Sequence, residues 1–432
     1  MGSPFTSVSG ADNVKAVLQS KEFNIVSYDL GSDSSSQKTK RKKAGTAIFS
    51  SNSIMFEQDR QRHQFLRHLI RAAFTPQAVE EGMTNIVKAA TQQLSKLGNG
   101  KTLNLEDICD SFTQDIAWRQ IIGLDLQDNE EEIRRFQKAV KVYVSGVFSM
   151  SAYLNFPGKT LLPPYRARKY LAEKVEERIA YLEKHGPDGT TLSAMVFSSD
   201  EDSKKKLAHE DIVENALILL IAGTETTGST LISAVSFLGL HPHIFGKLKE
   251  EQRHLISIHG EQFSKEFLDE SAYLEAVISE TMRVVPVSGT NFRRAEKAII
   301  LDGKQIPEGE SVFCNIRLTH ELDPMIISSS LSSSSKSMDP VTSFVPERWL
   351  DPKTKPKENF MPFGMGSRRC LGAPLAMAEM RVFLSILARR VDKFELVGGG
   401  FENKRIRWNP ASIVPKPTGD VAINATLSND NV

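Results

Sequence analysis

The sequence predicts a mainly α fold with a small β portion, and three observations carry that expectation. Apolar residues recur at three- and four-residue spacing through most of the chain from Arg60 to Arg390, the pattern of helices with one buried face. One such stretch, residues 209–240, runs for about 32 residues, roughly 48 Å at ~1.5 Å per residue, enough to cross a whole domain. Strand patterns are confined to short segments, residues 5–7, 297–301 and 311–316.

In chain order, the first strand ends near Ser7 and a short helix follows over residues 14–19. Residues 31–43, GSDSSSQKTKRKK, combine serine with five basic residues and cannot bury apolar surface, which predicts a flexible surface insertion. Contact of that basic run with anionic lipid or a reductase is the alternative. Helices are predicted over 60–74, 77–97, 105–123, 129–150 and 165–185. Pro163 and Pro164 should break the chain before the last of these, because proline lacks the donor that a helix interior needs. An apolar turn is expected over 155–164. The long helix should end at His241-Pro242, with helices over 244–258 and 271–285 after it. Asp302-Gly303 and Glu308-Gly309 read as turns. Residues 328–337, SSSLSSSSKS, are low-complexity and predict a second flexible insertion. The whole, 1–432, reads as one domain.

Composition excludes more than it identifies. The chain has 432 residues, 40% hydrophobic and 25% charged, enough for a large core, and a net charge of +1 gives no support to nucleic-acid binding. Three cysteines, Cys109, Cys314 and Cys370, are too few and too scattered for a disulfide framework or a zinc cluster. The longest apolar run, residues 216–222, falls far short of the ~18 residues of a membrane span.

Chemistry concentrates in residues 359–381, NFMPFGMGSRRCLGAPLAMAEMR. Gly364, Gly366 and Gly372 bracket Cys370 and let the backbone turn sharply and approach a flat ligand. A helix over 371–390 follows, with Pro374 tolerated in its first turn. Unpaired N–H groups and the positive end of a helix dipole favour a thiolate at such a position. Phe363 offers an apolar lid and Arg368 a cation two residues before the sulfur. A lone cysteine in a glycine-rich turn is commonly just a small buried hydrophobe. Six residue types fixed in ten positions, Phe363, Gly364, Gly366, Arg368, Cys370 and Gly372, argue otherwise.

That string resembles the cysteine-ligand signature of the cytochrome P450 family, the haem-thiolate monooxygenases. The resemblance implies the family's fold, a helical domain with a small β subdomain. It also implies haem b (iron protoporphyrin IX) with Cys370 as proximal iron ligand, Arg368 on a propionate and Phe363 shielding the sulfur. Ala222-Gly223-Thr224-Glu225-Thr226-Thr227 resembles the family's oxygen-binding motif, in which Thr226 would hydrogen-bond the oxygen, Glu225 would relay protons, and Ala222 and Gly223 would leave room for haem and substrate. Read without the family, the same string is a close-packing glycine with threonines bonding back to carbonyls one turn earlier. His63 and Arg67, four apart on one helix face, resemble a propionate-binding pair, and Arg293 resembles another such cation, although Arg62, Arg71 and Arg294 lie nearby. Glu280 and Arg283 resemble the family's Glu-x-x-Arg pair, which with Arg348 would hold the cysteine loop. Ile218, Leu219 and residues 287–290 are candidate pocket wall.

The resemblance covers about residues 5–425 and lacks the family's N-terminal anchor and first helix. It implies insertion of one oxygen atom from O2 into a lipophilic substrate by a monomer, with electrons from a separate reductase or ferredoxin. Its overall character is closest to the sterol- and retinoid-oxidising branch, so an isoprenoid substrate is expected. A haem-thiolate isomerase or dehydratase, or a haem-binding protein without turnover, are the alternatives.

Overall fold

Helices account for most of the chain, and the strands lie where the alternation is short. The computed structural model describes residues 5–25, 53–98, 100–124, 129–147, 158–200, 203–327, 343–398, 401–402, 405–406, 408–409 and 414–428. Residues 31–43 and 328–337, the two expected insertions, lie outside the described residues, as do 155–157 of the apolar turn. Contacts gather the chain into two compact units. One comprises Met1–Asn24, Ile86–Phe112 and Glu225–Val432, the other Ile25–Asn85 and Thr113–Thr224.

The first unit contains all the described strands. Its main sheet has the order β1 (Phe5–Val8), β7 (Ser311–Asn315), β4 (Thr290–Ala295), β2 (Phe23–Asn24). β1 runs parallel to β7, pairing Val8 with Cys314, and β4 runs antiparallel to it, pairing Arg293 with Val312. Val312 and Cys314 alternate with less buried neighbours along β7, so one face of the strand meets the core. On that face pack Val14, Val17 and Leu18 of helix α1 (Ala11–Gln19), Phe23, Ile316, and Met361 from the approach to the cysteine loop. β3 (Thr102–Asn104), β11 (Ala422–Leu427) and β8 (Val391–Val397) form a second sheet, and β9 (Phe401–Glu402) pairs with β10 (Arg405–Ile406). β5 (Ile299–Leu301) and β6 (Lys304–Ile306) form a hairpin turning at Asp302 (φ 49°) and Gly303 (φ 72°). Two consecutive positive φ values suit the twist of an antiparallel pair. Strand β4 went unread in the sequence, where its first residue was assigned to a pocket wall.

The second unit is helical; of the helices described next, α4 from Ile86 onward and α5 as far as Phe112 belong to the first unit. Helix α2 (Arg60–Arg71) is capped by Asp59, whose carboxylate accepts from Arg62 N at 2.7 Å. The single helix expected over 77–97 is two, α3 (Pro76–Glu81) and α4 (Met83–Leu94). They part at Gly82, where a side chain would collide with Gln120. Helix α5 (Leu105–Ile116) passes into a π-helical segment, Ala117–Ile122, that closes at Gly123 with φ 79°. Helices α6 (Glu130–Val147), α7 (Pro163–His185) and α8 (Thr191–Phe197) follow. Pro163 and Pro164 do not break the chain; they form the first turn of α7, where the missing N–H groups are unneeded.

Helix α9 (His209–Leu240) has the bounds that its periodicity gives. It is long and apolar enough to cross a bilayer, yet 72% of its most apolar stretch is buried inside the protein. In the first unit, α10 (Pro242–His259), the short α11 (Lys265–Glu270), α12 (Ala272–Val284), α13 (Ile316–Glu321), α14 (Pro324–Ile327) and α15 (Ala373–Arg390) complete the set. α11 was not anticipated; Ser264 caps it by accepting from Phe267 N.

Candidate active site

The cysteine loop is pinned before it turns. Asn359 N donates to Asp323 Oδ2 at 3.2 Å, and Met361 N donates to His320 Nε2 at 3.1 Å. The loop then folds back on itself, with Gly364 N donating to Met361 O at 3.0 Å and Cys370 N to Phe363 O at 2.9 Å. Gly364 and Gly366 have φ of 68° and 69°, and a Cβ on Gly366 would overlap the Leu18 carbonyl oxygen of α1. Only glycine lets the loop lie there.

Cys370 leaves this loop exposed, with Phe363 and Arg368 half-buried beside it in sequence. Helix α15 begins at Ala373 with Gly372 as its cap, so Cys370 precedes the helix by more than the sequence suggested. Cys109 and Cys314 are buried, and burial raises both thiols, Cys314 to about 11 despite Arg293 beside it. Of the three sulfurs only that of Cys370 is open to a ligand.

Two buried polar clusters lie next, one fixing residues 343–349, ahead of this loop in sequence, and one bonding the loop itself. Glu280, fully buried on α12, accepts from Arg283 Nε at 2.8 Å, Arg348 Nε at 3.0 Å, Val345 N at 3.0 Å and Trp349 Nε1 at 2.8 Å. Burial pushes its pKa up, but the two guanidiniums outweigh burial and hold the carboxyl below its ordinary value. Arg283 also donates to Ser343 O at 2.9 Å. His320, on α13, links this helix to the loop. Its Nε2 accepts from Met361 N, so the neutral ring carries its hydrogen on Nδ1, facing Arg283 O at 3.3 Å. Burial pushes its pKa down to about 4.

Within α9, Ala222, Gly223, Glu225 and Thr226 are half-buried between fully buried Ile221, Thr224 and Thr227. Threonines bond back along the helix, Thr224 Oγ1 to Leu220 O at 2.8 Å and Thr230 Oγ1 to Thr226 O at 2.9 Å. The space at Gly223 is taken up by Ile121, whose Cδ1 would lie 3.0 Å from an added Cβ. That glycine serves packing rather than open room. Glu225 Oε2 lies 3.2 Å from Lys416 Nζ, which also meets Glu106 Oε1 at 2.8 Å. One residue beyond Thr226, Thr227 hydrogen-bonds Glu379 of α15, whose buried carboxyl is pushed up to about 8 by desolvation. Of the expected pocket wall, Ile218 is buried and Leu219 half-buried on α9, while Gly289 O accepts from Ile316 N at 2.9 Å.

The basic candidates separate cleanly. Arg293 is 8% exposed, donates to Phe292 O at 2.9 Å, and pairs with no carboxylate among the described residues. Burial lowers its pKa. A buried guanidinium without an acid is costly. Arg294 beside it is exposed. On α2, His63 is buried and Arg67 half-buried, whereas Arg62 is engaged by Glu57 at 2.7 Å and by Asp211, and Arg71 is exposed. The neighbours that blurred the choice in the sequence are thereby set aside.

His320, Glu379 and Lys416 were not anticipated. Glu379 left a signal, an acid within the apolar run of α15, but nothing in the sequence ties Lys416 to Glu225, 191 residues away (416 minus 225).

A sulfur presented from a pinned loop, ahead of a helix and with a buried cation seeking an anion, defines a haem-thiolate type of protein. The Cytochrome P450 family model matches residues 2–418, and the chain belongs to that family. It is a haem-dependent monooxygenase by that membership. Among curated relatives it is similar to Cytochrome P450 26A1 of Gallus gallus, 27% identical over 409 residues, covering 92% of this chain and 77% of the relative. It is similar also to Beta-amyrin 11-oxidase of Glycyrrhiza uralensis, 28% identical over 350 residues, covering 78% and 67%. The fold matches that of a solved structure, retinoic acid bound cyanobacterial CYP120A1, with a TM-score of 0.78, 23% identity, and coverage of 98% of this chain and 89% of that one.

Proposed function

We propose that this chain inserts one oxygen atom from O2 into an apolar isoprenoid-type substrate, with electrons delivered by a separate reductase or ferredoxin, and that its cofactor is haem b. The observation that carries the reading is the exposed sulfur of Cys370 on a loop whose backbone is fixed at Asn359, Met361, Phe363 and Gly364.

When bound, the haem would supply O2 activation, and the Cys370 thiolate would donate electron density to it. The residues of this chain do the rest. Cys370 holds the iron, Phe363 covers the sulfur, and Gly364 and Gly372 let the backbone pass close to the ring. Arg368 and Arg293 would anchor propionates; guanidinium forks suit carboxylates. Glu225 holds and releases protons at its carboxylate, and Thr226 positions the oxygen through its hydroxyl. Ala222 supplies a small side chain on the same turn. These two residues on α9 favour oxygenation over a rearrangement that needs no proton relay.

For the substrate, support comes from the names of similar proteins, one an oxidase of β-amyrin and one solved with retinoic acid bound. Both molecules are isoprenoids with a large hydrocarbon part, which an apolar pocket wall accepts.

The test is spectroscopic. Reduced haem-loaded protein under carbon monoxide should show the Soret band of thiolate ligation, and Cys370→Ser should lose it; a band unchanged in that variant refutes the ligand assignment. Retinoic acid and β-amyrin, titrated separately into the ferric protein, should shift the Soret band as water leaves the iron. If neither does, the isoprenoid assignment fails while the enzyme class stands.

A further inference from the structure

Buried polar atoms without a hydrogen-bond partner among the described residues gather where α10, α15 and β8 meet, all within the first unit. Arg389, at the end of α15, lays its guanidinium over Phe263 and Phe267, 4.2 and 4.6 Å from their ring centroids, and donates from Nη1 to Glu261 O at 2.7 Å. Stacking takes the face of the group and leaves its edge, where Nε and Nη2 are buried and unmatched among the described residues. Burial lowers the Arg389 pKa to about 10, which keeps it charged at neutral pH. On α10, Gln252 is 1% exposed and sits by Glu251, whose carboxylate also accepts from Tyr273 N and, at 2.9 Å, from Leu274 N. Gln252 Oε1 has no partner among the described residues.

Two cavities open between these elements. The smaller, about 40 Å³, has Arg389, Arg253, Lys249, Gln252 and Ser428 as its polar walls, with no carboxylate among them. The larger, about 180 Å³, shares Lys249 and Arg253 with it and adds Leu238, Phe245 and Phe394 beside Glu250, Asp392 and Lys393. Lys249 is held in place, its Nζ donating to both O and Oδ1 of Asp392 at 2.6 Å. Acids therefore nearly balance the bases of the larger cavity, and the smaller one keeps Arg253 and Arg389 in excess.

These walls ask for a ligand that accepts along one guanidinium edge, carries negative charge and gives one hydrogen to an amide oxygen. A water carries no charge to set against the two arginines, and a space of about 40 Å³ has room for three waters or one tetrahedral oxyanion. Arginine edges pair bidentately with such oxyanions. We propose that the smaller cavity binds a hydrogenphosphate group, with Arg389 Nε and Nη2 and Arg253 on its charged oxygens and its P–OH donating to Gln252 Oε1. The group arrives either as free phosphate or as a monoester whose apolar part occupies the larger cavity. None of these residues takes part in the haem chemistry proposed above.

Calorimetric titration of haem-loaded full-length protein at constant ionic strength tests the site, with inorganic phosphate, sulfate and phenyl phosphate as the probes. Phosphate should bind saturably and raise the unfolding midpoint as its concentration rises. Sulfate has no hydrogen for Gln252 Oε1 and should bind more weakly by about tenfold or more. Arg389→Lys keeps the charge but loses the fork, and Gln252→Glu keeps the size but adds an anion. Each should weaken phosphate binding by about tenfold or more, while the ratio of Soret to protein absorbance stays at the natural value. Phenyl phosphate bound more tightly than phosphate assigns the site to monoesters, and bound more weakly assigns it to free phosphate.

Absence of saturable phosphate binding to the natural protein overturns the proposal, so a variant that fails to fold does not shelter it. Phosphate affinity unchanged in both Arg389→Lys and Gln252→Glu places the ion elsewhere on the protein. Sulfate bound as tightly as phosphate reduces the cavity to a non-specific anion trap. Either result overturns the assignment.

Discussion

The Glu379 carboxyl is fully buried on α15, with Thr227 on one side and no hydrogen-bond partner for Oε2 among the described residues. Desolvation puts its pKa at about 8 against an ordinary 4.5, so it is neutral through most of the physiological range. The sign of the linkage follows. The unfolded chain loses this proton near pH 4.5 and the folded chain near 8, so stability falls as pH rises between those values, on the order of 1 kcal/mol per pH unit. Glu379→Gln, which is neutral at every pH, should gain on the natural protein as pH goes from 5 to 8, measured by denaturant unfolding. Equal slopes would mean that the carboxyl is charged where it sits. This residue shows what single positions in the sequence reveal. Cys370, Glu225 and Thr226 stand out in the sequence because each sits in a local string of unusual composition, whereas Lys416 is set apart only by Glu106 and Glu225, which the fold brings to it.

Helix α13 holds the cysteine loop through His320, and α12 holds the segment before it, residues 343–349, through Glu280. Glu280→Ala would leave Arg283 and Arg348 buried without their acid, and should cost about 3–5 kcal/mol, seen as lost soluble protein or an earlier unfolding midpoint. His320 makes a pH prediction of opposite sense to Glu379. Its pKa is depressed from 6.5 to about 4, so the unfolded chain takes up a proton that the folded chain refuses, and stability drops as pH falls from 6.5 toward 4. Haem release should steepen across that interval, and His320→Gln should flatten it. Gly366→Ala tests the loop itself: a side chain there meets the Leu18 carbonyl and needs the strained positive φ, so the variant should retain little haem while far-ultraviolet circular dichroism stays near the natural value.

Element existence was readable where periodicity was long, and α9 kept its predicted ends because His241-Pro242 stops it. The sequence reading failed where backbone geometry decides. The break between α3 and α4 falls at Gly82, which packs against Gln120, and β4 is recognisable only once β7 is beside it. Proline was read as a breaker at 163–164 although the first helical turn accepts it.

At the scale of the whole molecule, the family model runs through residues of both compact units, so the chemistry of the first unit is embedded in a chain-long pattern. Removing residues 328–337 should leave haem content unchanged, provided the cut stops short of Ser343, whose carbonyl receives Arg283. Apoprotein from that deletion, measured as the ratio of Soret to protein absorbance, would show that the segment supports the loop.

Arg293 carries one more implication, for how the polypeptide matures. If Arg293 anchors a propionate, a buried cation with no carboxylate partner among the described residues leaves the chain least stable before the porphyrin binds. Nascent molecules that outrun porphyrin supply should be the ones that proteases and chaperones find first. Cells starved of the pigment should therefore accumulate less of this polypeptide, and replacing Arg293 with methionine should blunt that dependence.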